Sequence, residues 1–247
     1  MLAQERFDKI LELLRKEQSV TVTELTRQLN TSESTIRRDL AALDKQGLLI
    51  KVHGGATAVK TVLSAEEAVT QKSRKHLKEK KRIAEYAAKL VCPGDFVYID
   101  AGTTTEWMID FLKEYDAVYV TNGIGHARKL MNTGFQVRLL GGEIKAVTEA
   151  IVGDDALENL EKYNFTKGFF GTNGVDIKRG LTTPDLKEAS VKKKAMNHCK
   201  EVYILADSSK FDQVLPVKYG DIENLVIITD RLLNKDYNNL TTIKEVF

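Results

Sequence analysis

Phe96-Val97-Tyr98-Ile99-Asp100-Ala101-Gly102-Thr103-Thr104-Thr105 is an apolar run, then a turn of small polar residues, then the opening of a helix, Thr103 to Leu112. The same alternation continues downstream. Ala117 to Val120 precedes a helix from Gly125 to Met131, and further strands read at Val137 to Leu140, Gly168 to Phe170, Val202 to Ala206 and Leu225 to Ile228, with a helix at Lys187 to His198. Strands alternating with helices specify a mainly parallel sheet covered on both faces. Residues 79–247 are therefore expected to form a doubly wound α/β domain.

Ligands of such sheets sit beyond the carboxyl ends of the strands. Five loops fall there: Asp100 to Thr105, Thr121-Asn122-Gly123, Gly141-Gly142-Glu143, Gly171-Thr172-Asn173-Gly174 and Asp207-Ser208-Ser209-Lys210. Gly102 lets backbone N–H groups approach an anion, and Thr103, Thr104 and Thr105 bring hydroxyls to the start of a helix whose dipole favours phosphate. Helix capping explains one of those threonines but not three. Asp100 repels phosphate and is expected to accept hydrogen bonds from sugar hydroxyls or to brace the loop, with Lys210 as counter-charge. Together with the amides Asn122 and Asn173, these loops suit a phosphorylated sugar. Gly123-Ile124-Gly125 opens a dinucleotide-like pattern, but Arg128 stands where its third glycine belongs, and there is no P-loop. The four histidines are scattered, so neither a metal nor a cofactor is expected.

Upstream, residues 57–78 lack a steady period, and Lys72 to Arg82 carries seven basic residues against one acid, Glu79. That run reads as a solvated linker entering a helix, Glu79 to Val91, or as a contact for DNA phosphates. Ahead of it lie three short amphipathic helices with stripes at Phe7, Ile10, Leu11, Leu14; Val22, Leu25, Leu29; and Ile36, Leu40, Leu43. Thr21 with Glu24 forms a capping box, and Ser32 is placed to cap the third helix. Only Asn30 and Thr31 remain for the turn between the second and third helices, the signature of a helix-turn-helix. The third helix turns Glu33, Ser34, Arg37, Arg38 and Ala41 outward, chemistry suited to a DNA major groove. A solvated face with an arginine paired to Glu33 is the alternative, and Thr35 has a capping role open to it. Gly47 is expected to stop the helix. Leu48, Ile50 and Val52 then alternate with Leu49, Lys51 and His53 before Gly54-Gly55, a hairpin wing on which Lys51 and His53 either meet phosphates or are plain structure.

The chain has 247 residues, enough for two modest domains, with ordinary globular composition. Its net charge of +2 hides an asymmetry: residues 1–82 hold 17 basic and 11 acidic residues, leaving 20 basic and 24 acidic for the rest. A basic front suggests a polyanion partner for that part alone. Cys92 and Cys199 are too few and too far apart for a disulfide framework or a paired-cysteine zinc site. The longest apolar run, Val202 to Ala206, fits neither a transmembrane span nor a secretory segment, so a cytoplasmic location without membrane contact is expected.

The run Ser32-Glu33-Ser34-Thr35-Ile36-Arg37-Arg38-Asp39-Leu40, with Val52-His53-Gly54-Gly55-Ala56 beyond it, resembles the DeoR family of bacterial transcriptional regulators over residues 5–56. The resemblance extends through Glu79-Lys80, Ile83-Ala84, Asp100 to Thr105, Thr121-Asn122, Gly141-Gly142 and Leu205 to Phe211. It implies a winged helix-turn-helix (residues 1–57) that binds double-stranded operator DNA through Ser32, Ser34, Thr35, Arg37, Arg38, Lys51 and His53. A linker (58–78) then leads to an effector and oligomerisation domain (79–247) similar in fold to ribose-5-phosphate isomerase. The effector residues it implies are Asp100, Gly102, Thr103, Thr104, Thr105, Thr121, Asn122, Gly142, Glu143, Thr172, Asn173, Gly174, Glu188 and Lys210. Thr148 to Gly153, Phe169 to Gly174 and Thr183-Pro184-Asp185 with Glu188-Ala189 look most like the fructose-operon repressors of Gram-positive bacteria, which implies fructose 1-phosphate as effector. A homodimer or homotetramer is expected.

Two other functions compete with a repressor. An isomerase carrying a DNA-binding module needs a carboxylate to move a proton and an acid or lysine to stabilise an enediolate. Asp100, Glu143, Glu188 and Lys210 are available, but Gly171-Thr172-Asn173-Gly174 stands where the similar isomerases place paired acids, and no carboxylate follows until Asp176. A mere dimerisation scaffold has no use for five converging polar loops.

Overall fold

The structure, a computed structural model, describes residues 3–17, 19–46, 48–52, 54–58 and 69–247. It divides into two compact units, Met1–Thr61 and Val62–Phe247.

The first unit runs α1 (Ala3–Glu17), β1 (Ser19–Thr21), α2 (Val22–Leu29), α3 (Glu33–Lys45), β2 (Leu49–Val52) and β3 (Gly55–Ala58). Its core is built from the three stripes: Ile10 and Leu14, Val22, Leu25 and Leu29, and Ile36, Leu40 and Leu43 are buried, with Phe7 and Leu11 packed at the edge. Thr21 starts α2 with a capping box, its Oγ1 accepting from Glu24 N at 3.1 Å while its own N–H donates to Glu24 Oε2 at 2.9 Å. Asn30 takes a left-handed φ of 46° and lets α3 follow after two residues. A fork-to-carboxylate pair fastens α1 to α3, with Arg6 Nε 2.7 Å from Asp39 Oδ2 and Arg6 Nη2 3.0 Å from Asp39 Oδ1.

The hairpin of β2 and β3 is present, but β1 joins it, giving the order β1-β3-β2. Three residues are too few to show a period, which is why β1 escaped the sequence reading. Its approach is close: a Cβ on Gly55 would lie 2.1 Å from Val20 O. The hairpin's inward residue is Leu49, fully buried, whereas Leu48, Ile50 and Val52 are 44–47% exposed. Gly47 and His53 lie outside the described residues.

The second unit begins with α4 (Val69–Lys72) and α5 (Leu77–Ala88), followed by β4 (Phe96–Ile99), α6 (Thr103–Met108), β5 (Val118–Thr121), α7 (Ile124–Thr133) and β6 (Gln136–Leu139). Next come β7 (Glu143–Lys145), β8 (Ala150–Val152), α8 (Asp154–Leu160), β9 (Phe165–Gly171), β10 (Gly174–Asp176) and β11 (Gly180–Thr183). The chain ends with α9 (Leu186–Asn197), β12 (Cys199–Leu205), β13 (Val217–Gly220), β14 (Val226–Thr229) and β15 (Thr242–Glu245). Among the described residues seven strands form one parallel sheet in the order β15-β14-β12-β9-β4-β5-β6. Adjacent strand residues point to opposite faces. Val97, Ile99, Tyr119, Phe169, Leu205 and Ile228 pack with Ile83, Ala84 and Ala87 of α5, while Tyr98, Val120, Phe170, Ile204 and Ile227 pack with Leu160 of α8 and Val191 and Ala195 of α9. Both faces are covered, as the alternation requires.

The chain runs outward from β4 to β6 on one side, then returns to place β9 against β4 on the other. That reversal is a topological switch point, at the carboxyl ends of β4 and β9. The hairpin β7–β8, the small antiparallel sheet β10-β11-β13, α8 and β15 were not expected from the sequence. Among the described residues no helix is long and apolar enough to cross a membrane.

Candidate functional site

In the first unit, α3 presents Glu33, Ser34, Arg37, Arg38 and Ala41 to solvent. Ser32 Oγ accepts from Thr35 N at 3.3 Å and lies 2.9 Å from both Ser34 Oγ and Thr35 Oγ1, a hydroxyl cluster at the helix start. Thr35 thus takes part in capping. Arg37 Nη2 meets Glu33 Oε2 at 3.1 Å, and Arg38 Nε donates to Ser34 O at 3.4 Å. The Arg37–Glu33 pair is more than half exposed on both sides, so it is worth at most about 1 kcal/mol and yields cheaply to a stronger anion. Lys51 is exposed on β2, its backbone N–H held by Asp44 Oδ1 at 2.9 Å.

In the second unit a cleft opens over the switch point. Of the residues expected there, Gly102, Thr103, Thr104, Thr172, Asn173, Glu188 and Lys210 line it. Lys72, Lys75, Lys80 and Lys192 line it as well, so among the described residues five lysines face one carboxylate. Lys80 is buried and donates from Nζ to Thr103 Oγ1 at 2.9 Å and to Lys72 O. Glu188 Oε1 accepts from Thr148 Oγ1 at 2.6 Å and lies 3.3 Å from Lys145 Nζ. Asn173 Oδ1 accepts from Thr183 Oγ1 at 3.2 Å, and Thr172 Oγ1 donates to Gly174 O at 3.0 Å.

The remaining expected residues stand away from the cleft wall. Asp100 is buried beneath it: its Oδ2 accepts from Gly171 N at 3.1 Å and pairs with Lys192 Nζ, which also donates to Gly171 O at 3.1 Å. Burial pushes this carboxyl above the usual carboxylate range while Lys192 opposes the shift. Asp100 is thus a brace tying β4 to β9, and its counter-charge is Lys192, not Lys210, whose Nζ lies 3.9 Å from Asp207 Oδ2. Thr105 is fully buried and donates to Asp100 O at 2.6 Å. Thr121 Oγ1 accepts from Gly123 N at 3.0 Å, and Asn122 joins Ala101 N (2.9 Å) to Ile151 O (3.2 Å). Gly142 lies outside the lining with φ 142°, where a Cβ would meet Val152 O at 2.7 Å, and exposed Glu143 pairs with Lys187. Gly174 is buried in β10.

Lys80 and Lys192 were missed, although a signal existed. Lys80 precedes Ile83, Ala84 and Ala87 at helical spacing, and Lys192 follows Ala189 and precedes Ala195, so each lysine sits on a buried stripe. The basic run from Lys72 is also not wholly solvated, since its fifth member Lys80 is 4% exposed. His126, also overlooked, places Nε2 3.1 Å from Thr105 Oγ1 and from Gly102 O, and burial lowers its pKa to about 4. Among the described residues no group of three or more His, Cys, Asp or Glu is placed to hold a metal.

Two family models match: a DeoR-like helix-turn-helix domain over residues 6–62 and a DeoR C-terminal sensor domain over residues 75–231. The chain is 43% identical over 250 residues to the "Uncharacterized HTH-type transcriptional regulator FruR" of Bacillus subtilis, covering 100% of this chain and 99% of that one. It is 37% identical over 210 residues to a lactose phosphotransferase system repressor of Staphylococcus epidermidis, covering 83% of each. Among solved structures, ribose 5-phosphate isomerase A from Neisseria gonorrhoeae aligns over 54% of this chain and 53% of its own, with 18% identity and a TM-score of 0.41.

Proposed function

Because the chain belongs to the DeoR family of transcriptional regulators, we propose that it is a repressor of a sugar-utilisation operon whose operator binding is governed by a phosphorylated sugar, with fructose 1-phosphate favoured. The observation that carries this reading is the cleft over the switch point, where, among the described residues, five lysines surround hydroxyl and amide groups and one carboxylate. The lysines suit a phosphate, while Thr172, Asn173 and Glu188 suit the hydroxyls of a sugar. Among the isomers, fructose 1-phosphate is favoured by the likeness of Thr148 to Gly153 and Phe169 to Gly174 to fructose-operon repressors. Ser32, Ser34, Thr35, Arg37, Arg38 and Lys51, with His53, form the DNA-reading set, and the protein works in the cytoplasm, where its operator is.

As a homodimer or homotetramer it presents two recognition helices to half-sites one helical turn, about 34 Å, or a multiple apart. The effector shifts operator affinity only by binding one arrangement of the oligomer better than another. Catalysis is disfavoured by the loop after β9, Gly171 to Gly174, which holds no carboxylate; the next acid, Asp176, turns its Oδ1 to the backbone N–H groups of Lys178 and Arg179.

Thermal unfolding against a panel of sugar phosphates, with free sugars and inorganic phosphate as controls, tests the effector. A ligand at 100 times its dissociation constant adds about 2.7 kcal/mol to the unit it binds. A shift with fructose 1-phosphate and none with fructose is expected; no shift with any sugar phosphate would remove the cleft as the sensor site.

A further inference from the structure

The residues that enter the second unit from the DNA-binding side do not simply precede the cleft; they form part of its wall. Val69, Lys72 and Lys75 line it opposite the loops from β4 and β9. This segment is tied down at each end. At one end Val69 N donates to Val147 O at 3.3 Å, in the turn between β7 and β8. At the other, the buried Lys80 ammonium bridges Lys72 O and Thr103 Oγ1, joining the segment to the loop that follows β4. Between those points the chain makes its own tight turn, with Ser73 N donating to Val69 O at 2.8 Å and Lys75 N to Lys72 O at 3.3 Å. The β7–β8 turn is itself tied to the cleft floor, because Thr148 Oγ1 donates to Glu188 Oε1 at 2.6 Å and Lys145 Nζ bridges Glu188 and Asp185.

We infer that residues 69–76 act as a strap over the effector cleft: Lys72 and Lys75 bind the anionic end of the phosphorylated ligand, so occupancy fixes the point at which the chain from the DNA-binding unit enters the sensor. This inference rests on the cleft being the effector site. It gives the connecting chain a direct role in sensing: the ligand touches the segment that must carry its signal, and no relay through the sheet is needed. A multiply charged ligand that bridges strap and loops strongly favours the closed form.

Hydrogen exchange of the full chain, with and without saturating fructose 1-phosphate and separately with inorganic phosphate, reads this directly. Amides of residues 69–76 are expected to slow at least about tenfold with fructose 1-phosphate, together with those of residues 100–105 and 171–174. Slowing in 100–105 and 171–174 without any in 69–76 overturns the strap and leaves the effector site standing. No slowing in any of the three segments with either probe overturns both. A charge-matched pair supplies a second readout. Lys75→Gln is expected to weaken fructose 1-phosphate binding at least about fivefold while Arg74→Gln, a neighbour outside the lining, leaves it unchanged; equal weakening by both assigns the effect to net charge and contradicts the strap.

Discussion

At the scale of single residues, the proposed DNA-reading face and the buried braces behave differently under substitution. Arg37 and Arg38 are exposed, and the Arg37–Glu33 pair contributes little to folding, so Arg37→Ala or Arg38→Ala is expected to leave the melting temperature nearly unchanged. Where the arginine reads a base, operator affinity falls by about 1 to 3 kcal/mol in a fluorescence-anisotropy titration. Unchanged affinity for both variants would remove α3 as the recognition helix. Lys192 is the opposite case. Lys192→Met leaves the Asp100 carboxylate buried without its cation, at a cost of about 3 to 5 kcal/mol, and adding Asp100→Asn is expected to restore part of that loss in urea unfolding. His126 adds a pH signature. Burial holds its folded pKa near 4, below the ordinary 6.5, so the unfolded chain takes up a proton first as pH falls. Its stabilising contribution is complete above pH 6.5 and declines by about 1.4 kcal/mol per pH unit towards 4. His126→Gln is expected to flatten the stability slope between pH 6.5 and 5; an unchanged slope would show that the imidazole titrates freely.

Elements were legible in the sequence wherever a period ran long enough to be counted. The stripes Ile10–Leu14, Val22–Leu29 and Ile36–Leu43 gave three helices, and Phe96–Ile99 with Gly168–Phe170 marked the two strands that flank the crevice. What escaped was short or depended on distant partners. β1 has three residues and exists because Gly55 lets it approach β3, and β7–β8 turns on the φ 51° of Glu149, which no periodicity announces. The wing's facing was not legible from its alternation: Leu48, Ile50 and Val52 are exposed, while Leu49 fills the core. Loop chemistry pointed to the end of the sheet where the cleft lies, but several of its polar groups brace the loops instead of facing the cleft, because Asp100, Thr105, Thr121 and Asn122 satisfy backbone groups buried by the strand ends. At this scale Gly55→Ala is a sharp probe. A Cβ there forces β1 off β3, so the circular-dichroism transition of the first unit is expected to fall while Trp107 fluorescence, which reports on the second unit alone, melts as before. Coincident loss of both transitions would mean that the units do not fold independently.

Across the whole molecule, charge and fold divide the work. Of the basic residues before Ile83, Arg37 and Arg38 stand on the exposed face of α3, whereas Lys72, Lys75 and Lys80 join Lys192 and Lys210 at a cleft over the switch point of a parallel sheet. A regulator of this kind needs two binding reactions that influence each other, and reciprocity follows: an effector that weakens operator binding is itself bound more weakly in the presence of operator, by the same factor. Rounds of selection by the full-length protein from a random pool of DNA duplexes yield its preferred operator sequence. The decisive measurement is the affinity for that selected operator, titrated at fixed ionic strength with fructose 1-phosphate, fructose and inorganic phosphate in parallel. A change of fivefold or more with fructose 1-phosphate, absent with fructose and with phosphate at the same concentration, is expected from a sugar-phosphate-responsive repressor. Recovery of no preferred sequence, or an affinity indifferent to every phosphorylated sugar, would contradict it.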